Sequence, residues 1–166
     1  MKYFLHSHLL SSVDISSMFY SVQVDSASSK YLGFYSPFDD QIFVFKRLIM
    51  GLANVPWMAV AALRMLFTEE NWQKFKQSKG NPDCAEGLSV ECILIYYIDD
   101  ILIYTKKNKG YKLHLFVLEF IFHQLNVYGF ILDKNKIKIL AKNITFSGSN
   151  LIMRDIATSR LTNARR

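Results

Sequence analysis

The sequence predicts an α+β protein, in which helices pack on one face of an antiparallel sheet. Short runs rich in β-branched and aromatic residues, bounded by turn residues, predict strands and hairpins. Two longer segments carry apolar residues at helical spacing, one before and one after a central apolar hairpin. Strands, a long helix, a hairpin, a second long helix and short strands therefore follow in that order, which is typical of an α+β layer.

Length and composition describe one folded domain. The chain has 166 residues, of which 51% are hydrophobic and 20% charged, as in globular proteins. We expect a single domain over residues 1–166, ending in a loose polar tail at 153–166. No apolar run reaches the length of a membrane span, because Asp99 and Asp100 interrupt the best candidate, so no membrane partner is expected.

The first third of the chain predicts a strand and a hairpin. Leu9–Val13 is apolar and ends at Asp14, and Ser16–Tyr20 can form one helical turn. The aromatic runs Tyr31–Tyr35 and Gln41–Leu48 are joined by a Pro-Phe-Asp-Asp segment with turn chemistry. We interpret these two aspartates as part of an exposed turn and place no metal there.

A long helix is predicted next. Asn54 can cap it, Pro56 is tolerated in its first turn, and its apolar stripe extends to about Lys76. The segment Gln77–Gly87 is rich in Ser, Gly, Asn, Pro and Asp, which predicts a surface loop.

The last third predicts a helix followed by short strands. An apolar stripe favours a helix over about Lys109–Tyr128, which Gly129 would end. Ile131–Leu132 and Ile137–Leu140 are predicted to pair as a small hairpin, and Ile144–Ile152 is predicted to be a last strand.

The central segment is an apolar run broken once by two carboxylates. It predicts strands Cys92–Tyr97 and Asp100–Thr105 around a turn at Ile98-Asp99. Ionised carboxylates are costly to bury unless they are paired or bind a cation. Both strands look buried on both faces, so an internal acidic tip favours a metal site. The alternative is an ordinary solvated turn.

A third carboxylate, Asp14, ends the first apolar strand. If that strand pairs beside the hairpin, Asp14 faces Asp99 and Asp100. Clustered carboxylates repel one another unless a cation neutralises them, and hard oxygen ligands suit Mg²⁺. Two such ions about 4 Å apart can activate a hydroxyl and stabilise a leaving phosphate, which suits nucleotidyl transfer.

Positive charge is concentrated in the last third of the chain. The formal net charge is +6. Lysines recur at 106, 107, 109, 112, 134, 136, 138 and 142, and arginines at 154, 160, 165 and 166. Such a pattern fits either a solvated basic face or a track for a phosphate backbone, and both interpretations remain open.

Several motifs together resemble the reverse transcriptase family. Tyr97-Ile-Asp-Asp100, continuing as Ile-Leu-Ile-Tyr-Thr-Lys, is similar to its Tyr-x-Asp-Asp box, above all in gypsy-type LTR retrotransposons and retroviruses. Val13–Val22 resembles the first catalytic block. Three further blocks occur in the family's order: Phe34–Pro37 with Phe43–Phe45, then Met50–Pro56, and finally Gly129–Lys134 followed by Phe146–Gly148.

The resemblance implies a polymerase palm with part of the fingers and without the thumb. It implies that Asp14, Asp99 and Asp100 are catalytic and, with the backbone carbonyl of Ile15, ligate two Mg²⁺ ions, Mn²⁺ being an alternative. Other residues are implied to bind substrate: Phe19, which would block a ribose 2′-hydroxyl, Met50, Gly51 and Tyr97. Phe146, Ser147 and Gly148 would form the primer grip.

The implied function is RNA-directed DNA polymerisation by a retroelement domain, within a larger pol polyprotein. The implied partners are an RNA or DNA template-primer, a dNTP, and the remaining fingers, thumb, ribonuclease H and integrase. Met50, Trp57 and Ser147 depart from the family's usual residues. Two alternatives stand: an inactive remnant that only folds or binds nucleic acid, and, more distantly, a metal-dependent nuclease.

Overall fold

The computed structural model describes residues 2–5, 8–80, 87–106, 108, 110–147 and 149–153. The predicted tail from 154 onward and Gly148 lie outside this range, as do residues 81–86 of the predicted loop. The strands are β1 (Lys2–Leu5), β2 (His8–Ser16), β3 (Gly33–Ser36), β4 (Gln41–Val44), β5 (Cys92–Tyr97), β6 (Asp100–Lys106), β7 (Ile131–Leu132), β8 (Asn143–Phe146) and β9 (Ser149–Met153). The helices are α1 (Met18–Ser21), α2 (Ser26–Ser29), α3 (Val55–Leu66), α4 (Glu69–Lys79), α5 (Leu88–Glu91) and α6 (Gly110–Val127).

A four-stranded antiparallel sheet in the order β5-β6-β2-β7 forms the centre of the fold. The predicted hairpin is confirmed, with β5 and β6 joined through Ile98 and Asp99. Strand β2 lies beside this hairpin and pairs with β6, in a register that runs from His8 opposite Lys106 to Asp14 opposite Asp100. This pairing brings the two acidic motifs, Asp14 and Asp99-Asp100, to the same end of the sheet.

The two faces of the sheet pack against different partners. Val13 and Ile103 point into the larger core, which α3, α4 and α6 complete. Leu10 and Leu102 point the other way and pack against the small sheet β1-β9-β8 through Ile144. Successive strand residues point to opposite faces, so β2 is buried along nearly all of its length. The predicted α+β architecture with helices on one face is confirmed.

Aromatic side chains fasten α4 to α6 in the larger core. Trp72 and Phe120 are fully buried, with ring centroids 5.1 Å apart and an edge-to-face arrangement. Phe75 lies 5.4 Å from Phe120 and 5.3 Å from Phe116. Such pairs stabilise packing beyond the effect of the buried area alone.

The expectation that both hairpin strands are buried on both faces was wrong for β5. This strand is at the edge of the sheet, and its burial alternates. Leu94 and Tyr96 pack against the larger core, whereas Ile93 and Tyr97 are about half exposed on the opposite face. On that face the small sheet packs mainly over β2 and β6, and its Phe146 contacts Tyr97 at the end of β5.

The long helix predicted before the hairpin is two helices. Leu66 ends α3, and Thr68 caps α4 by accepting a hydrogen bond from the Asn71 backbone N–H at 3.3 Å. Gly80, with a left-handed φ of 62°, ends α4, so the helix extends past the predicted loop boundary at Gln77. The helix after the hairpin is confirmed as α6.

The end of the chain pairs differently from the prediction. Ile131–Leu132 and Ile137–Leu140 do not form a hairpin with each other. Instead Leu132 lies opposite Ile15, and both backbone groups of Lys138 bond to Ser12 at 2.8 and 2.9 Å. The whole segment therefore runs antiparallel along β2.

The predicted single strand Ile144–Ile152 is also wrong. It is the hairpin of β8 and β9, which turns after Phe146. The aromatic hairpin of β3 and β4 is confirmed, although shorter than predicted, and its Asp39 and Asp40 are exposed in the turn. Among the described helices, none combines the length and apolarity needed to cross a membrane.

Candidate active site

The acidic residues of the two motifs lie where β2 and β6 run side by side. Asp14 and Asp100 are directly opposite each other, so their side chains project from the same face of the sheet. The backbone N–H of Ile15 donates to the carbonyl of Asp99 at 2.9 Å, which fastens the hairpin tip to β2. Asp14 is only 7% exposed. The structure thus brings together the acidic residues that the sequence placed 85 positions apart.

The turn that carries the carboxylates holds a strained residue. Ile98 is the first of two loop residues and has a φ of 56°. Left-handed backbone conformation costs a non-glycine residue about 1–2 kcal/mol, and a β-branched residue there is an outlier. Hairpins with this geometry ordinarily carry glycine at such a position. Strain of this kind clusters at functional sites.

A lysine that sequence reasoning did not assign to the site lies on Asp14. The Lys136 Nζ donates to both carboxylate oxygens of Asp14, at 3.2 and 3.1 Å, and lies 3.8 Å from Oδ2 of Asp133. The prediction had included Lys136 only in a basic group of the last third of the chain. Its contact with Asp14 depends on the long-range pairing of its segment with β2, for which the local pattern offers no signal.

The electrostatics of the site favour a cation. Burial raises the pKa of Asp100, and the negative charges of Asp99 and Asp14 raise it further, while Lys136 opposes them. The hydrogen bond and charge of Asp14 in turn raise the pKa of Lys136. The neighbouring carboxylates thus destabilise the charged form of Asp100, which a bound cation would relieve.

The donor set fits Mg²⁺ by its chemistry. Carboxylate and carbonyl oxygens are the ligands this ion prefers. The Ile15 side chain is buried in the larger core, so only its main chain is available to the site. Within the described residues, no three His, Cys, Asp or Glu side chains converge closely enough to hold a metal. The cation on Asp14 in this structure is the ammonium of Lys136.

The predicted nucleotide-binding residues lie on segments that follow β2. Phe19 is in α1, directly after β2, and is half-buried against the larger core. The backbone N–H of Leu48 donates to the carbonyl of Val22, which ties the segment before Met50 to the end of α1. Met50 is 67% exposed, and Gly51 has a φ of 100° that favours glycine.

The predicted primer-side residues flank the hairpin tip. Tyr97 is half exposed, and its ring lies edge-to-face against Phe146 with centroids 6.4 Å apart. Ser147 follows with a left-handed φ of 47°. This contact joins the acidic hairpin to β8. Gly148 is outside the described residues.

A buried polar network on the opposite face of the sheet was also missed. The ring of His114, on α6, is fully buried between Ser11 of β2 and Thr105 of β6. Its Nε2 is 2.7 Å from Oγ of Ser11, and its Nδ1 is 3.0 Å from Oγ1 of Thr105. Burial lowers the pKa of His114 to about 4, so the ring is neutral at pH 7. Its spacing of three and four residues from the buried Val117 and Leu118 could have indicated burial, but its partners are distant in sequence.

Comparison with protein-family models decides the family. The model described as "Reverse transcriptase (RNA-dependent DNA polymerase)" matches residues 5–151. The chain belongs to the reverse transcriptase family. No sequence among curated proteins matches it.

Solved structures of reverse transcriptases share the fold. A foamy viral protease-reverse transcriptase in complex with an RNA/DNA hybrid is 23% identical, with a TM-score of 0.61 over 87% of this chain and 16% of that one. The same protein type in complex with double-stranded DNA is 22% identical, with a TM-score of 0.63 over 91% of this chain and 24% of that one. The chain therefore spans less than a quarter of the length of these two structures. The predicted polymerase fold is confirmed.

Proposed function

We propose that this reverse transcriptase domain adds deoxynucleotides to a primer 3′-hydroxyl under the direction of an RNA or DNA template. The observation that carries the proposal is the position of Asp14 opposite Asp100, with Asp99 bonded through its backbone to Ile15. These are the residues that the family motifs designate as catalytic. Their meeting at the end of two neighbouring strands supports a common role.

The metal-binding residues would be Asp14, Asp99 and Asp100, together with the main-chain carbonyl of Ile15. Bound there, Mg²⁺ would supply charge neutralisation for the substrate phosphates and would activate the primer hydroxyl. Mn²⁺ takes similar oxygen ligands and is the alternative ion. The chain's own contribution is to hold the carboxylates in a fixed register between β2 and β6.

The aromatic residues around the carboxylates would select and position the substrates. Phe19 would exclude the 2′-hydroxyl of a ribonucleotide by its bulk, while Met50 and Gly51 would contact the incoming nucleotide. Tyr97, braced by Phe146 at 6.4 Å, would pack near the primer terminus. Phe146, Ser147 and Gly148 would hold the primer strand.

The wider setting we propose is the pol polyprotein of a retroelement. The Tyr97–Asp100 box, which resembles that of gypsy-type retrotransposons, supports this setting. The solved neighbours are much longer than this chain, which supports the presence of further domains in the complete protein. We expect the remaining fingers, the thumb, ribonuclease H and integrase there. The β3–β4 hairpin exposes Phe34, Tyr35 and Ile42, as expected of a surface that other parts of a larger protein cover.

Primer extension tests the proposal. The assay uses a defined RNA template, a DNA primer, dNTPs and Mg²⁺, and compares the wild-type chain with Asp14→Asn and Asp99→Asn. Asp39→Asn is the matched control, because Asp39 is an exposed carboxylate whose partner is Ser36 in the turn after β3. We expect extension by the wild type and the control, and at least a hundredfold loss in both site variants. Equal extension by all four proteins would refute the assignment of the carboxylates.

The inactive-remnant alternative predicts a different result. A folded wild-type chain that extends no primer, yet binds nucleic acid with a steep dependence on salt and none on divalent metal, would support it.

For an active chain, Phe19→Ala should increase the incorporation of ribonucleotides relative to deoxynucleotides. Because Phe19 also packs against the core, thermal melting must show that the variant is folded. Unchanged sugar selectivity would contradict its role.

A further inference from the structure

The turn between β7 and the segment that bonds to Ser12 holds Lys136 in front of the carboxylates. Asp133 organises this turn: its Oδ1 accepts from the Asn135 backbone N–H at 3.0 Å, and its carbonyl accepts from the Lys136 N–H at 3.0 Å. The backbone N–H of Asp133 donates to the carbonyl of Asp14, also at 3.0 Å. The turn is therefore fastened to β2 at the very residue whose side chain Lys136 contacts.

The ammonium occupies the position of a cation. It donates to both carboxylate oxygens of Asp14, at 3.2 and 3.1 Å, so both acceptors of this buried group face the same positive charge. Asp14 is nearly enclosed, whereas the Lys136 side chain is 60% exposed. The lysine thus reaches in from solvent to a carboxylate that the fold has removed from water.

We propose that Lys136 is a built-in counter-ion of Asp14, which competes with the divalent ion and must leave the carboxylate before the ion can bind. This inference rests on the proposed function, since it assumes that Asp14 ligates a metal. It adds that the chain itself supplies a competing cation, and that affinity for the ion is lower than the carboxylates alone would give.

The neighbourhood offers the lysine a second position. Oδ2 of Asp133 already lies 3.8 Å from Nζ of Lys136. The side chain can therefore move away from Asp14 while keeping an anionic partner, and its exposure leaves room for that movement. Movement of the Lys136 ammonium from Asp14 to Asp133 would therefore cost little free energy and would be reversible.

Metal binding measured without nucleic acid tests the proposal. Free Mn²⁺ is followed by its electron paramagnetic resonance signal during titration of the full chain. Lys136→Met keeps an unbranched side chain, one atom shorter than lysine, and removes its charge. Lys134→Met is the matched control, because Lys134 is exposed on the same turn and makes no ion pair within the described residues. Both variants lower the net charge equally.

We expect Lys136→Met to bind Mn²⁺ about three- to tenfold more tightly than the wild type, as for the loss of one partly exposed ion pair. Lys134→Met should change the Kd by less than about twofold, since a solvated charge beyond direct contact is screened by salt. Lys136→Arg, which retains the charge, should bind like the wild type. Asp14→Asn should weaken binding in every background. Melting with and without Mn²⁺ provides a second readout, in which the ion should raise the Tm of Lys136→Met most.

Each outcome decides between the two proposals. Equal affinity in Lys136→Met and Lys134→Met would overturn the counter-ion role, even if the wild type extends primers. Tighter, Asp14-dependent binding by Lys136→Met would support that role, even if primer extension fails. Absence of Mn²⁺ binding in all variants would overturn it, because no ion would then compete with the lysine.

Discussion

The histidine buried between α6 and the sheet makes the stability of this protein depend on pH in a calculable way. His114 has a pKa lowered from 6.5 to about 4 by burial. The unfolded chain therefore binds a proton at a higher pH than the folded chain does, and stability falls as the pH falls below 6.5. The full difference corresponds to about 3 kcal/mol, of which about 2 kcal/mol is lost by pH 5.

Burial causes this shift of the pKa, and the hydrogen bonds of the ring match its neutral form. Neutral imidazole can donate at one nitrogen and accept at the other, which suits the hydroxyls of Ser11 and Thr105. Ser11 Oγ also accepts from the Leu140 backbone N–H at 3.0 Å. Imidazolium would donate at both nitrogens, bury a charge and leave a hydroxyl proton without an acceptor.

Urea denaturation at pH 7.5 and at pH 5 provides the assay, with wild type, His114→Gln and His123→Gln. Glutamine retains a donor and an acceptor but does not titrate in this range. His123 is an exposed histidine on the same helix and serves as the control. We expect the wild type and His123→Gln to lose about 2 kcal/mol more stability between these pH values than His114→Gln does.

The comparison between variants isolates the histidine from the carboxyl groups. Asp100 acts in the opposite direction, because its pKa is raised in the folded chain and its protonation on acidification favours that state. It contributes equally in all three proteins and cancels. An equal loss of stability in wild type and His114→Gln would refute the reasoning.

Three further substitutions test the local physics by urea denaturation at pH 8. Asp100→Asn should raise the free energy of unfolding by less than about 1 kcal/mol, since it removes a charge destabilised by burial and by neighbouring carboxylates; a decrease would contradict this. Ile98→Gly should raise it by up to about 1 kcal/mol, because relief of left-handed strain exceeds the entropic cost of glycine; a loss would show that the turn is unstrained. Phe120→Ala should lower it by about 3–5 kcal/mol, against less than about 0.5 kcal/mol for the exposed Tyr111→Ala, and similar losses in both would refute the α4–α6 core.

The elements predicted best from the sequence are those whose limits are set locally. The limits of strand Cys92–Tyr97 and of the turn that follows it were predicted to the residue, because two apolar runs are interrupted only once. The helix α6 was predicted to within two residues at either end, since its apolar stripe stops at Gly129. The division between α3 and α4 was missed, although Thr68 is a good capping residue, because apolar spacing continues across the break.

What the sequence could not supply is long-range pairing of short segments. Ile131–Leu132 is too short to show which strand it joins, and two apolar stretches around a turn resemble a local hairpin. The segment pairs with β2 instead. One edge of β2 is paired with β6, and the opposite edge is open to Ile131–Leu132. The position of Lys136 on Asp14 follows from that choice alone. A segment that looked like a peripheral hairpin thereby becomes part of the carboxylate site, because its Asp133 N–H bonds to the Asp14 carbonyl and its Lys136 to the Asp14 carboxylate.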